Sequence, residues 1–216
     1  MVPRSPRTRP SRPRHPPSPK RLVARPLTIG LTGGIAAGKS EALAAFERLG
    51  AATISSDAVV HELLDSEPLL RRLVDRWGPE IATEEGVDRT RVGGIVFADP
   101  AELSWLEAQI HPLVGERVGA WLATVPEGIE VAVVEVPLLF ESEMEAVFDT
   151  TLAVVTSDEV RRARADARGH ALVGEREARQ LGQEEKAARA EHVVENDGSV
   201  EDLERALSDL LARLRG

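Results

Sequence analysis

The sequence LTIGLTGGIAAGKS, residues 27–40, decides the fold of this chain. An apolar run leads into a glycine-rich turn, and the turn ends at the start of an alanine-rich segment. This order predicts a strand, a loop and a helix. Every fixed position of the G-x-x-x-x-G-K-[ST] pattern is filled, by Gly33, Gly38, Lys39 and Ser40. Because the backbone N–H groups of such a loop surround phosphate oxygens, the stretch predicts a site for a nucleoside triphosphate rather than an ordinary glycine-rich turn.

Each part of this loop has a predicted role. The glycines allow the backbone to approach the phosphates closely, and the N-terminus of the following helix adds partial positive charge. Lys39 is expected to reach the β- and γ-phosphates of the nucleotide, and the Ser40 hydroxyl is expected to bind Mg²⁺. The residues predicted to contact the nucleotide are Gly33, Gly34, Ile35, Ala36, Ala37, Gly38, Lys39, Ser40 and Glu41.

The composition indicates a globular protein without a membrane span. Of the 216 residues, 42% are apolar and 29% are charged, and no apolar run approaches the roughly 20 residues that a spanning helix needs. Cysteine is absent, which excludes disulfides, thiolate metal ligands and a cysteine nucleophile. We expect a monomer in the cytoplasm, with no membrane partner.

The first 26 residues differ from the rest of the chain in composition. They contain seven arginines, Lys20, no acidic residue and eight of the 14 prolines, so they carry a formal charge of +8 against −17 for the remainder. Such a segment has little apolar surface to bury and is expected to be disordered. It is interpreted as a weak tether to nucleic acid or an anionic surface, a solvated extension with no role, or translated sequence upstream of the true start. The acidic remainder argues against nucleic acid as a specific partner.

Asp57 follows the second predicted strand, residues 51–54. The carboxyl ends of parallel strands meet at one edge of the sheet, so Asp57 is expected beside the phosphate-binding loop. A carboxylate there accepts a proton from an attacking hydroxyl or holds Mg²⁺ through water. The alternative is that Asp57 only caps a helix that begins at Ala58.

Residues 58–124 have helical periodicity, and no strand is predicted there. A helical insertion of this size between two strands is a natural place for a phosphoryl-acceptor site. His111-Pro112 interrupts the longest helix, and the proline is expected to bend or restart it, either aiming His111 at a cleft or leaving it on the surface. Trp77, Trp105, Trp121 and Phe97 are predicted to be core residues.

Sheet character returns at residues 131–134, 151–155 and 193–194, so alternating strands and helices predict a parallel α/β sheet. Glu135 follows the first of these strands and is a weak candidate for holding Mg²⁺.

A basic helical stretch, which includes Arg161, Arg162, Arg164 and Arg168, precedes the last strand. Arginines from a mobile lid stabilise the negative charge of phosphoryl transfer, and Arg168, beside a glycine, is the preferred lid residue. The alternative is a solvated helix face whose arginines pair with neighbouring acids.

Several ordered motifs resemble the dephospho-CoA kinase family over residue 27 to the C-terminus. They are LTGGIAAGKS, the DAVV that begins at Asp57, DRTRVGGIVFADP, the WLEAQIHPLV that contains His111, VPLLFES over 136–142, and QEEKAARAEHVVENDGS.

The resemblance implies a P-loop kinase core with a parallel five-stranded sheet, a helical substrate-binding insertion and a helical lid. The expected core comprises residues 27–57, 131–156 and 191–216, the insertion about 58–130 and the lid about 157–190. The implied reaction is phosphorylation of the ribose 3′-hydroxyl of dephospho-CoA by ATP with Mg²⁺.

The same resemblance implies roles for individual residues. Asp57, Lys39 and Arg168 become catalytic, with Arg168 a lid contact to ATP phosphate. The implied acceptor pocket contains Asp57, His61, His111, Pro137, Leu138, Leu139 and Phe140.

Four departures from the family pattern bear on these roles. Ala36-Ala37 stands where Gly-Ser is usual, and Glu41 stands where Ser or Thr is usual. Ser55 replaces an acid two residues before Asp57, and His61 replaces an arginine four residues after it. These departures leave two alternatives: another small-molecule P-loop kinase, acting on a nucleoside monophosphate or a sugar, or a non-catalytic ATP-binding regulator.

Overall fold

The structure is a computed structural model, and it describes residues 25–84, 86–167 and 180–215. Five parallel strands form the central sheet, in the spatial order β2-β5-β1-β6-β7. They are β1 (Leu27–Gly33), β2 (Ala52–Ser55), β5 (Val131–Glu135), β6 (Thr150–Val155) and β7 (His192–Glu195). The predicted fold class is therefore confirmed.

Helices cover this sheet and extend beyond it. In chain order they are α1 (Lys39–Arg48), α2 (Ser56–Leu64), α3 (Glu67–Trp77), α4 (Arg89–Ala98), α5 (Pro100–Thr124), α6 (Asp158–Ala167), α7 (Gln183–Arg189) and α8 (Val200–Arg215). Short 3₁₀ helices form at Pro79–Ile81 and Met144–Val147. Among the described residues, no helix is both long enough and apolar enough to cross a bilayer.

Two apolar clusters stabilise the molecule. In the first, α1 and α8 pack against the sheet, with Phe46, Leu207 and Leu210 fully or almost fully buried. In the second, α2 to α5 pack against one another and against the residues around the end of β5. The second cluster joins the helical insertion to the edge of the sheet where the strands end.

The structure corrects two predictions for the insertion. A two-stranded antiparallel hairpin, β3 (Ala82–Thr83) with β4 (Gly86–Val87), occurs where no strand was predicted. Helix α5 also runs through Pro112 instead of restarting. Its buried residues, Leu106, Ile110, Val114 and Val118, recur every four residues on both sides of the exposed proline, so packing of one continuous face outweighs the lost backbone hydrogen bond.

Candidate active site

The phosphate-binding loop connects β1 to α1. Gly33 and Gly38 have φ values of +154° and +96°, and a Cβ at either position would collide with Val154 or Asn196. Asn196, which follows β7, donates a hydrogen bond from Nδ2 to the Ala37 carbonyl at 2.8 Å. The loop is therefore held in shape by residues that are distant in sequence.

Ala36 is a departure that the loop accommodates with strain. Its φ is +61°, in the left-handed region that glycine adopts easily and alanine does not. Glycine at this position would remove that strain.

The side chain of Lys39 lies over its own loop. Its Nζ atom donates to the carbonyls of Gly33 and Gly34 at 3.2 and 3.0 Å. Ser40, the second residue of α1, is exposed. The backbone N–H groups of the first turn of α1 follow an N-cap glycine, which has no side chain to accept from them. This is an arrangement that suits an anion.

Glu41 does not direct its charge at the loop. Its carboxylate pairs with Arg48 at 3.0 Å, seven residues further along α1, and Arg48 also pairs with Glu204 of α8 at 2.7 Å. The negative charge that departs from the family pattern is therefore neutralised on the flank of the helix.

Asp57 lies in the first turn of α2 and is exposed. The helix begins at Ser56, and Ser55 occupies the N-cap position. The alternative in which Asp57 caps this helix is therefore wrong, and its carboxylate is available for other contacts.

Glu135 is buried at the end of β5, between Leu31 of β1 and Ser55 of β2. Burial raises the pKa of its carboxyl above the ordinary value of 4.5. A hydrogen bond from Ser55 and the charge of Lys39 oppose this increase, and the charge of Asp57 adds to it. Lys39, Asp57 and Glu135 therefore interact electrostatically at one edge of the sheet, as their positions after the strands predict.

A pH-dependent change in stability is expected for Glu135→Gln. Because burial raises the pKa of Glu135, ionising this carboxyl costs more free energy in the folded state than in the unfolded state. The protein therefore loses stability as the pH rises through the raised pKa. The variant should melt a few degrees above the unmodified protein at about pH 8 and equally at about pH 4, where the carboxyl is protonated in both states. Thermal melting at the two pH values measures this. Glu195→Gln, an exposed glutamate at the end of β7, is the matched control. Equal melting temperatures at about pH 8 would contradict the argument.

A cleft of about 770 Å³ lies beside the insertion. Asp57, His61, His111, Pro137 and Leu138 all line it. Five of the residues predicted for the acceptor pocket are therefore brought together from α2, α5 and the segment after β5.

Leu139 and Phe140 do not line this cleft. Both are buried in the second apolar cluster, at 0% and 3% exposure, and the Phe140 ring lies 4.8 Å from the guanidinium carbon of Arg189. They support the cleft wall from behind.

Nine further residues that line the cleft were not predicted from the sequence, and Phe97, Glu141 and Gln180 are three of them. Phe97, predicted to be core, is 41% exposed and lines the cleft, so that prediction is wrong. Glu141 and Gln180 also line the cleft, and their position depends on tertiary contacts.

The prediction that Trp77 and Trp105 are core residues is confirmed. Their rings pack edge to face, with centroids 5.2 Å apart, within the second apolar cluster.

The predicted lid residue Arg168 lies outside the described residues. In α6, Arg161 pairs with Asp158 at 3.1 Å, as the solvated-face alternative predicts. Arg164 differs, because its Nη1 atom is buried and has no hydrogen-bond partner in the described part of the chain. That atom lies 3.6 Å from where a Cβ at Gly38 would stand. An arginine of α6 therefore reaches the phosphate-binding loop.

Arg164 also influences Asp197, which follows β7. The pKa of Asp197 is lowered mainly by a hydrogen bond from the Thr156 hydroxyl, with a further contribution from the charge of Arg164. The end of β6, the start of α6 and the segment after β7 therefore meet beside the loop.

A phosphate-binding loop at the carboxyl edge of a five-stranded parallel sheet, with a helical cleft opening beside it, defines the class of P-loop kinases. The dephospho-CoA kinase family profile matches residues 27–202. The chain belongs to this family.

Individual relatives agree with this assignment. A dephospho-CoA kinase from Thermosynechococcus vestitus is 38% identical over 89% of this chain and 97% of its own. A solved structure from Thermus thermophilus is 37% identical, with a TM-score of 0.76 over 89% of this chain and 100% of that chain. A solved dephospho-CoA kinase from Campylobacter jejuni, 24% identical, shares the fold with a TM-score of 0.65 over 87% of this chain and 96% of that chain.

Proposed function

We propose that this protein transfers the γ-phosphoryl group of ATP to the ribose 3′-hydroxyl of dephospho-CoA, which gives coenzyme A and ADP. The observation that carries the proposal is the cleft lined by Asp57 and Pro137, because the Pro137 carbonyl accepts a hydrogen bond at 3.2 Å from Thr32, the residue directly before the phosphate-binding loop. Membership of the dephospho-CoA kinase family supports the identity of the acceptor.

In the proposed reaction the 3′-oxygen attacks the γ-phosphorus, and the bond from that phosphorus to the β,γ-bridging oxygen breaks. Asp57 accepts the hydroxyl proton, because an exposed carboxylate in the cleft is suited to this role. Lys39 moves from the loop carbonyls to the β- and γ-phosphates, and the loop N–H groups hold the same oxygens. The negative charge that develops is stabilised by Arg164 and by Arg168 of the lid.

The residues present fit Mg²⁺ bound together with the nucleotide. Among the described residues, no group of three or more His, Asp or Glu side chains forms a cage for a metal ion. Mg²⁺ usually binds through one or two protein oxygens together with substrate phosphates, so a cage is not required. The Ser40 hydroxyl and Asp57, through water, are the proposed protein ligands, with Glu135 a weaker candidate. When bound, Mg²⁺ neutralises charge on the β- and γ-phosphates.

The remaining cleft residues are proposed to bind the acceptor. His61 and His111 offer donors to its pyrophosphate, and Pro137 and Leu138 form an apolar wall. Leu139 and Phe140 hold that wall in place from the core. The proposed enzyme acts as a cytoplasmic monomer, with core, insertion and lid at the boundaries predicted from the sequence.

A coupled assay of ADP release across several acceptors tests the proposal. Dephospho-CoA at low concentration should give ADP release, whereas AMP, CMP, shikimate and gluconate should not. A higher rate with any of these four would refute the acceptor assignment. Tight ATP binding without acceptor-dependent ADP release would instead indicate a regulator.

Phe97→Ala should raise KM for dephospho-CoA about tenfold and change kcat little, because removing a contacting ring forfeits the burial of its apolar surface. Steady-state kinetics with varied acceptor measure this. Val147→Ala, which removes an exposed apolar side chain outside the cleft, is the control. An unchanged KM would remove Phe97 from the acceptor site.

A further inference from the structure

Helix α7 contacts the phosphate-binding loop through its first residue. The side-chain amide of Gln183 donates to the Thr156 carbonyl at 2.7 Å and accepts from the Thr156 N–H at 2.9 Å. A Cβ at Gly34 would lie 3.2 Å from the Cβ of Gln183. The start of α7 is therefore fixed both to the end of β6 and to the loop.

One turn later, the same helix contacts the wall of the acceptor cleft. Lys186 is 0% exposed, donates a hydrogen bond from Nζ to the Pro137 carbonyl, and pairs with Glu141 at 3.0 Å. Pro137 and Glu141 both line the cleft. A short rigid element therefore joins the two halves of the site.

A gain in stability does not explain the buried ion pair between Lys186 and Glu141. Removing a lysine and a glutamate from water costs free energy that their attraction often fails to offset, and an apolar pair of similar volume is commonly as stable. The pair also leaves one atom unsatisfied. Oε1 of Glu141 accepts from both Lys186 and the Leu181 N–H, whereas Oε2 is buried and has no hydrogen-bond partner among the residues that the structure describes. What the charges add is a fixed direction and distance between α7 and the cleft wall.

We propose that Lys186 and Glu141 are positioning residues that set the acceptor wall against the phosphate-binding loop, so that the 3′-oxygen lies in line with the γ-phosphate. This inference rests on the proposed function. Neither residue contacts the reacting atoms. Both act through Pro137 and through the helix that carries Gln183. A displacement of about 1 Å at a reacting centre costs on the order of 100-fold in rate, so a small shift of this wall has a large effect.

Three variants separate positioning from stability: Lys186→Met, Glu141→Gln and the two combined. Each single variant leaves one buried charge or polar group unpaired, and the melting temperature should fall by about 10 °C. The double variant removes both charges and should recover most of that loss. Its kcat for dephospho-CoA should nevertheless remain about 30-fold below that of the unmodified protein, with the ATP dissociation constant changed less than about twofold.

The control pair lies one turn further along the same helix. Arg189 of α7 pairs with Glu145 at 2.9 Å, outside the cleft, and Glu145 also has a buried oxygen that finds no partner within residues 25–84, 86–167 and 180–215. Glu145→Gln alone weakens this pair but leaves Arg189 over the Phe140 ring that supports the cleft wall, so it should change kcat less than about twofold.

Two results would overturn the proposal. One is recovery of kcat together with the melting temperature in the Lys186/Glu141 double variant, and the other is an equal loss of kcat in the Glu145→Gln control. If the unmodified protein does not phosphorylate dephospho-CoA at all, the proposed function itself fails, and this inference fails with it.

Discussion

Asp57→Asn should lower kcat for dephospho-CoA by on the order of 100- to 10,000-fold while leaving the ATP dissociation constant within about twofold. The amide keeps the shape and position of the side chain in the first turn of α2 but cannot accept the proton of the 3′-hydroxyl. ATP binding should persist because the loop backbone does not involve Asp57, and the amide oxygen of the variant still accepts a hydrogen bond from a Mg²⁺-bound water. Steady-state kinetics and calorimetric titration of ATP measure the two quantities.

Glu62→Gln is the matched control for Asp57→Asn. Glu62 is an exposed acid on the same helix that pairs with Arg117 at 3.2 Å and does not line the cleft. Its replacement should change kcat less than about twofold. An Asp57→Asn enzyme with unchanged kcat would exclude Asp57 from the chemistry.

The phosphate-binding loop could be predicted from the sequence because its function depends on local geometry. The glycine positions, the preceding apolar strand and the following helix lie within 14 residues, and each has its own sequence signal. Asp57 was placed correctly for a related reason: it directly follows a parallel strand, and strand ends meet at one edge.

Contacts between distant segments could not be predicted in this way. Asn196 holds the loop from beyond β7, and Lys186 reaches the cleft wall from α7. Each residue is an ordinary polar side chain in its own sequence neighbourhood. Only the packing of the sheet and helices determines what it contacts.

Phe97 shows a second limit of prediction from hydrophobic periodicity. Its spacing among aliphatic residues is that of a buried helix face, yet its side chain lines the cleft at the end of α4. Periodicity indicates which face of a helix is apolar, and it does not distinguish a protein core from an apolar binding site. The hairpin at 82–87 was missed because two-residue strands have no detectable alternation.

Lys39→Met should lower kcat/KM for ATP by on the order of 100- to 1,000-fold, because the variant loses a cation that stabilises the phosphate charge as the phosphoryl group transfers. A second effect is expected in the folded protein itself. The charge of Lys39 is one of the factors that oppose the raised pKa of buried Glu135, so its removal raises that pKa further. The variant should therefore also melt at a lower temperature at about pH 8, where ionised Glu135 has lost its positive neighbour.

Combining Lys39→Met with Glu135→Gln separates the two effects of Lys39. The neutral amide removes the buried charge, so the melting temperature at about pH 8 should return to that of the unmodified protein or above it. The loss in kcat/KM should persist, because no residue replaces the cation at the β- and γ-phosphates. If activity returned together with stability, Lys39 would act only by stabilising the edge of the sheet. If neither returned, the coupling between Lys39 and Glu135 would be wrong, because it requires stability to recover once Glu135 is neutral.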